Sequence, residues 1–178
     1  MKTIVIYKSK TGFVKKYAEL LAEDLSADIF EVSKIKSDEL SKYDTVIYGG
    51  SLHAVGIIGI KFIKKNIDKI KGKKIIVFAS GASPSSEKVI NDVVTQNFTI
   101  EQQKYIKFFY LRGGFDYNKL PFIDKVLMTL LKWHIKFKKK RKKELSFDEI
   151  GMLELFDKPT DFTNKIYLNE IISYVKSQ

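Results

Sequence analysis

Short runs of β-branched and aromatic residues alternate with stretches of helical periodicity along the first hundred residues. The runs Thr3–Tyr7, Ala27–Val32, Thr45–Gly49, Lys74–Ser80 and Tyr105–Leu111 predict strands. The first, third and fourth are continuously apolar, as strands buried on both faces of a parallel sheet must be. Between them, apolar spacing predicts helices over Thr11–Leu25, Gly59–Ile70 and Ser85–Asn97. In the first, Val14, Tyr17, Ala18, Leu21, Ala22 and Leu25 share one face, while Lys15, Lys16, Glu19 and Glu23 point outward. A last amphipathic helix, Phe162–Val175, follows Asp161, a suitable N-cap.

Five strands alternating with helices predict an α/β doubly wound parallel sheet covered on both faces. The segment from about 112 to 160 breaks the alternation. It reads as an insertion between the fifth strand and the last helix: a helix near Phe122–Phe137, a basic run, then Leu145–Pro159. With 178 residues and neither an internal repeat nor a low-complexity linker, one domain over residues 1–178 is expected.

Composition narrows the chemistry. There is no cysteine, which excludes disulfides, thiolate metal sites, iron–sulfur ligation and cysteine nucleophiles, and fits a reducing compartment. The opening apolar run Ile4–Tyr7 is too short for a signal-peptide core, so a cytoplasmic location is expected. The two histidines, His53 and His134, are isolated and make no metal site.

Charge is localised. Of a net +11, residues 119–143 carry +9, from ten cations and the single anion Asp124. A basic arm on a nearly neutral body predicts an anionic partner surface.

The candidate site lies at the carboxyl ends of the predicted strands, where open parallel sheets bind ligands. After the first strand comes Ser9-Lys10-Thr11-Gly12-Phe13-Val14. Two hydroxyl side chains and a glycine lead straight into a helix, whose first N–H groups are unsatisfied and suit a phosphate. The same residues also suit plain helix capping. Dinucleotide and P-loop fingerprints, G-x-G-x-x-G and G-x-x-x-x-G-K-[ST], do not occur. Two further glycine- and serine-rich loops are predicted, Gly49-Gly50-Ser51-Leu52-His53-Ala54-Val55-Gly56 and Ser80-Gly81-Ala82-Ser83-Pro84. Three such loops on one edge favour a flat ligand with one phosphate. His53 is either a donor there or a solvated loop residue.

The hydroxyl-rich first loop and Tyr43-Asp44-Thr45-Val46-Ile47-Tyr48-Gly49-Gly50-Ser51 in third-strand position resemble flavodoxin. Arg112-Gly113-Gly114-Phe115-Asp116-Tyr117 and Asp124-Lys125-Val126-Leu127-Met128 resemble the flavodoxin-type, menaquinone-dependent protoporphyrinogen oxidases. The resemblance implies a five-stranded sheet in the order 2-1-3-4-5 and non-covalent FMN. Its phosphate would be held at Ser9, Lys10, Thr11, Gly12, Phe13 and Val14, and its ring between Gly50, Ser51, Leu52, His53 and Ser80, Gly81, Ala82, Ser83. Val14 stands where the family's phosphate loop ends in threonine, and neither ring loop contains an aromatic. An open ring face suits a substrate-facing enzyme better than a sealed carrier.

Two functions follow from the resemblance. One is an FMN-dependent oxidoreductase that takes hydrogen from a tetrapyrrole and passes electrons to a quinone. The other is an electron carrier whose basic arm docks an acidic redox partner protein. No side chain demands a general-base role. The apolar Phe122–Phe137 followed by Lys138–Lys143 is too short to span a bilayer. It fits either a helix lying on the anionic inner face of the membrane or one packed on the sheet edge with a solvated lysine tail. Nucleic acid fits less well, because the aromatics interleave with aliphatics as buried residues do.

Overall fold

Thr3–Lys8 forms β1, and it hydrogen-bonds on one side to β2 (Asp28–Glu31) and on the other to β3 (Thr45–His53), both parallel. The computed structural model describes residues 2–141 and 144–177. By contact it forms two compact units, residues 1–113 with 162–178, and residues 114–161.

In the larger unit, β4 (Gly56–Ile57) folds back antiparallel on β3. β5 (Lys74–Gly81) and β6 (Ile106–Arg112) then extend the parallel sheet, giving the order β2-β1-β3-β5-β6. The five parallel strands therefore have the expected order, and β4 is an addition too short to announce itself.

Helix α1 (Phe13–Leu25) buries Val14, Tyr17, Ala18, Leu21 and Ala22 against one face. Beside it α7 (Asn169–Lys176) contributes Ile171 and Val175 to the same cluster, with Val5, Ile47, Ile76 and Phe78 from the sheet. The other face is covered by α2 (Lys61–Ile70) and α3 (Glu87–Asn97), through Ile63, Ile70 and Val93. A short α4 (Ile100–Gln103) precedes β6. The alternation read from the sequence is thus the doubly wound arrangement, because each strand core is apolar on both faces and needs a helix on each side.

Most elements shift by one to three residues at their ends, and three differences bear on the site or on the return of the chain. β3 runs on through Gly49–Ser51 to His53 instead of ending in a loop. A Cβ on Gly49 would lie 2.2 Å from the Phe78 ring, and one on Gly50 would lie 2.4 Å from Ile57. These glycines are therefore strand residues crossed by neighbouring side chains. The first helix starts at Phe13, not Thr11. The last helix starts at Asn169, and Asp161 does not cap it. Asp161 pairs instead in a two-residue strand, and Asn164 caps a 3-10 turn by accepting from Ile166 N–H.

The smaller unit contains β7 (Gly114–Phe115) paired antiparallel with β8 (Thr160–Asp161), α5 (Phe122–Lys140) and α6 (Phe147–Asp157). Phe156 stands edge-on to both Phe115 and Tyr117. The Tyr117 hydroxyl is 2.6 Å from that of Thr129, and Lys138 pairs with Glu149 at 2.8 Å. Lys142 and Lys143 of the basic run lie outside the described residues. The aromatics of α5 expected to be buried are exposed: Phe122 is 80% and Trp133 68% accessible.

Gly49→Ala should lower stability by about 1–3 kcal/mol, the usual penalty for overpacking a filled core. Urea denaturation checks this, and an unchanged midpoint would mean that Phe78 has somewhere else to go.

Candidate functional site

The edge formed by the carboxyl ends of β1, β3, β5 and β6 collects most of the predicted site residues. Gly12 is the N-cap of α1 and adopts φ +95°, a backbone conformation that side chains with a Cβ rarely take. No side chain caps the helix. The Ser9 hydroxyl accepts instead from the N–H of Gly12 itself, at 3.1 Å. Neither Ser9 nor Thr11 is therefore spent on capping, and the N–H groups of Phe13, Val14 and Lys15 have no partner within the helix. Val14 is fully buried, so it can offer a ligand only its backbone N–H.

Two ties draw the loops together. Lys10 N–H donates to the Ser51 hydroxyl at 3.2 Å, joining the β1 loop to the end of β3. Ser51 stands in register with Ser80 of the neighbouring β5. The Ser80 hydroxyl is buried and has no hydrogen-bond partner among the described residues, and it lies so close under Gly113 that a Cβ there would be 2.2 Å away. Gly81 is approached from the opposite face by Leu52 and by the Tyr110 hydroxyl.

The remaining pair, Ala82 and Ser83, is held by residues that the sequence did not single out for the site. Tyr110 O–H donates to the Ser83 carbonyl at 2.8 Å, and Arg112 Nε–H donates to the Ala82 carbonyl at 3.3 Å. The Arg112 guanidinium also stacks 3.7 Å over the Phe162 ring. Beneath them, Tyr17 O–H donates to the Arg112 carbonyl and accepts from Asn164 N–H. The available signal was positional: Tyr110 and Arg112 are the last outward pair on a strand whose carboxyl end reaches the site edge. His53 lies exposed at the β3–β4 hairpin, next to Ala54 in a left-handed turn.

The electrostatics suit backbone recognition. Lys8 pairs with Glu31 at 2.7 Å and holds that carboxyl below its usual range, so its charge is already answered. The α1 N-terminus offers N–H groups and the positive end of the helix dipole, flanked by the hydroxyls of Ser9 and Thr11. This donor set fits one phosphate monoester.

Comparison with known proteins gives the family. The flavodoxin domain family matches residues 4–144, and the chain belongs to that family. An uncharacterized protein of Methanocaldococcus jannaschii is 33% identical over 92 residues, 47% of this chain. The match spans only 57% of that relative's length. Among solved structures, Megasphaera elsdenii flavodoxin in its two-electron reduced form is similar at a TM-score of 0.48 and 15% identity, covering 67% of this chain and 88% of that one. Oxidised flavodoxin 2 from Bacillus cereus is similar at 0.44 and 17% identity, covering 63% and 84%. The chain is therefore a flavodoxin-like flavoprotein, and FMN is the cofactor that its family implies.

Burial pushes the Tyr110 phenol up to about 12, with Arg112 opposing part of the shift. The unfolded chain ionises near the ordinary value of about 10 and the folded one later. The stability from this phenol is thus complete below pH 10 and is lost as pH rises through 12. Tyr43 is also raised to about 12, by burial and by its hydrogen bond to Asp28. Tyr110→Phe should therefore lose less stability than the parent between pH 10 and 12, though still some. Denaturation profiles that run parallel would mean that the Tyr110–Ser83 clasp is open in solution.

Proposed function

We propose that this chain is an FMN-dependent oxidoreductase of the flavodoxin-type protoporphyrinogen oxidases, working on the cytoplasmic side of a membrane with a quinone as acceptor. The observation that carries the FMN part is the meeting of three strand-end loops around an uncapped helix start, with Lys10 N–H tied to Ser51. The finer identity is supported by the stretches Arg112–Tyr117 and Asp124–Met128, which resemble those oxidases.

Ser9, Lys10, Thr11, Gly12, Phe13 and Val14 would form the phosphate loop, with the N–H groups of Phe13, Val14 and Lys15 free to donate where the Gly12 N–H is taken by Ser9. Gly50, Ser51, Leu52 and His53, with Ser80, Gly81, Ala82 and Ser83, would flank the ring. FMN supplies the hydride and single-electron chemistry, and the protein supplies position and electrostatics. Tyr110 and Arg112 keep the Ala82–Ser83 backbone in place by holding its carbonyls. That fixes which way the neighbouring N–H groups face.

A second reading is a flavodoxin-type carrier that docks an acidic redox protein. The basic segment 119–143 favours it, since complementary charge speeds association between transient partners.

The purified protein should be yellow and should release FMN, not FAD, on denaturation. Thr11→Ala should weaken FMN binding by about 1–2 kcal/mol, the loss of one hydrogen bond to a charged group. A colourless protein that takes up no added FMN would refute the cofactor assignment. Anaerobic oxidation of protoporphyrinogen with menadione as acceptor separates the two functions. Turnover supports the oxidase, whereas an FMN-loaded protein that reduces acidic redox proteins but leaves protoporphyrinogen untouched is a carrier.

A further inference from the structure

Helix α5 is solvent-exposed on its apolar side. Phe122, Ile123, Val126, Leu127, Leu130, Leu131, Trp133 and Phe137 are all exposed, while Asp124 and Ile135 are buried. At helical spacing of about 100° per residue, these eight side chains fill one continuous arc of roughly 180°. The two buried residues sit together just outside it. Soluble monomers rarely expose so large a contiguous apolar surface unless something covers it.

The charges around the arc identify what covers it. Lys125, Lys136 and Lys140 follow one border, and Lys139 and Arg141 lie in the last turn. The Arg141 guanidinium folds over the Phe137 ring at 4.3 Å, keeping its charge at the rim of the apolar surface. The helix carries one carboxylate, Asp124, which is buried. A second copy of α5 would therefore bring cations to cations, with no exposed carboxylate on either helix to answer them. Lys138 belongs to a different set, because it is paired with Glu149 inside the same unit. The aliphatics Val126, Leu127, Leu130 and Leu131 have no use on a base-stacking platform, which needs aromatic faces. They match a hydrocarbon boundary.

We infer that α5 lies in the plane of an anionic lipid surface. Its Phe122–Phe137 arc sinks below the headgroups, while Lys136, Lys140 and Arg141 reach headgroup phosphates. The 19-residue helix is roughly 28 Å long, enough for a firm in-plane contact. No helix among the described residues is long and apolar enough to cross a membrane. The inference rests on the membrane setting of the proposed function and adds the surface that makes the contact; vesicle binding can fail while FMN binding and protoporphyrinogen turnover stand, so the two are told apart.

The chain's one tryptophan, Trp133, lies in the arc and reports the contact directly. With the FMN-loaded full chain, vesicles of equal phosphatidylglycerol and phosphatidylcholine should co-sediment the protein and shift Trp133 emission to the blue. Pure phosphatidylcholine vesicles should do so at least about tenfold less well. Replacing Lys136, Lys140 and Arg141 with serine should remove the preference for anionic vesicles, whereas Lys139→Ser, on the far face, should not. Replacing Phe122, Val126 and Leu130 with serine should weaken binding to both kinds by about the same factor at low and high salt, because burial is not screened. All these side chains are exposed, and unchanged flavin content shows that the variants fold. No blue shift with anionic vesicles overturns the inference. So does equal binding to neutral ones, a concentration-dependent shift without lipid, or a shift produced by single-stranded nucleic acid and not by vesicles.

Discussion

The far end of the Phe78 ring occupies the space where a side chain on Gly49 would go, and the larger unit is arranged around that contact. The ring fills the face of β3 just where a parallel strand would otherwise need a side chain of its own. It meets Tyr17 edge-on, with ring centroids 6.5 Å apart. The Tyr17 hydroxyl then bridges the Arg112 carbonyl and Asn164 N–H, so α1, the end of β6 and the return of the chain after residue 161 share one buried anchor. Because α1 is fixed in this way, the loop before it enters the helix without a side-chain cap and its N–H groups face outward. The site is therefore a consequence of how the core closes at the carboxyl edge of the sheet.

The same crowding separates structural from ligand-facing residues among those that resemble a flavodoxin site. Val14 gives its side chain wholly to the core, so a threonine there would bury a hydroxyl instead of simply adding a phosphate contact. Gly50 is packed beneath Ile57 and the Ile58 carbonyl. Ser9, Thr11, Ala82 and Ser83 lie in loops, and the loop carbonyls at 82 and 83 are tied down by Arg112 and Tyr110. Polar groups held in this way stay in place without the ligand, and rigid placement is what a preformed phosphate and ring site needs.

Much of this was legible in the sequence wherever one physical pattern ruled alone. The continuously apolar β1, β3 and β5 and the one-sided α1 had no competing reading as elements, whereas the order of the parallel sheet came from the resemblance to flavodoxin. Gly49-Gly50 misled because glycine weakens a strand locally, and only the distant Phe78 and Ile57 make it the residue required there. Residues 162–168 carry apolar spacing that suits a helix, yet Phe162 N–H is taken by the Gly113 carbonyl and Asn164 starts a separate 3-10 turn. The clasps from Tyr110 and Arg112 join residues 27 and 30 positions apart, beyond any local pattern. In α5 the richness in apolar residues suited packing on the sheet edge as well as a membrane surface, and only the structure shows that most of its arc is exposed.

On the proposed reading, backbone N–H groups at the start of α1 do most of the holding of the FMN phosphate. An amide-resolved NMR titration of the apoprotein with FMN, and in parallel with riboflavin, tests it most directly. FMN should move the Gly12, Phe13, Val14 and Lys15 amides strongly, whereas riboflavin, lacking the phosphate, should move chiefly those around residues 51–53 and 81–83. Amides at 12–15 that respond equally to both ligands, or to neither, would contradict the account.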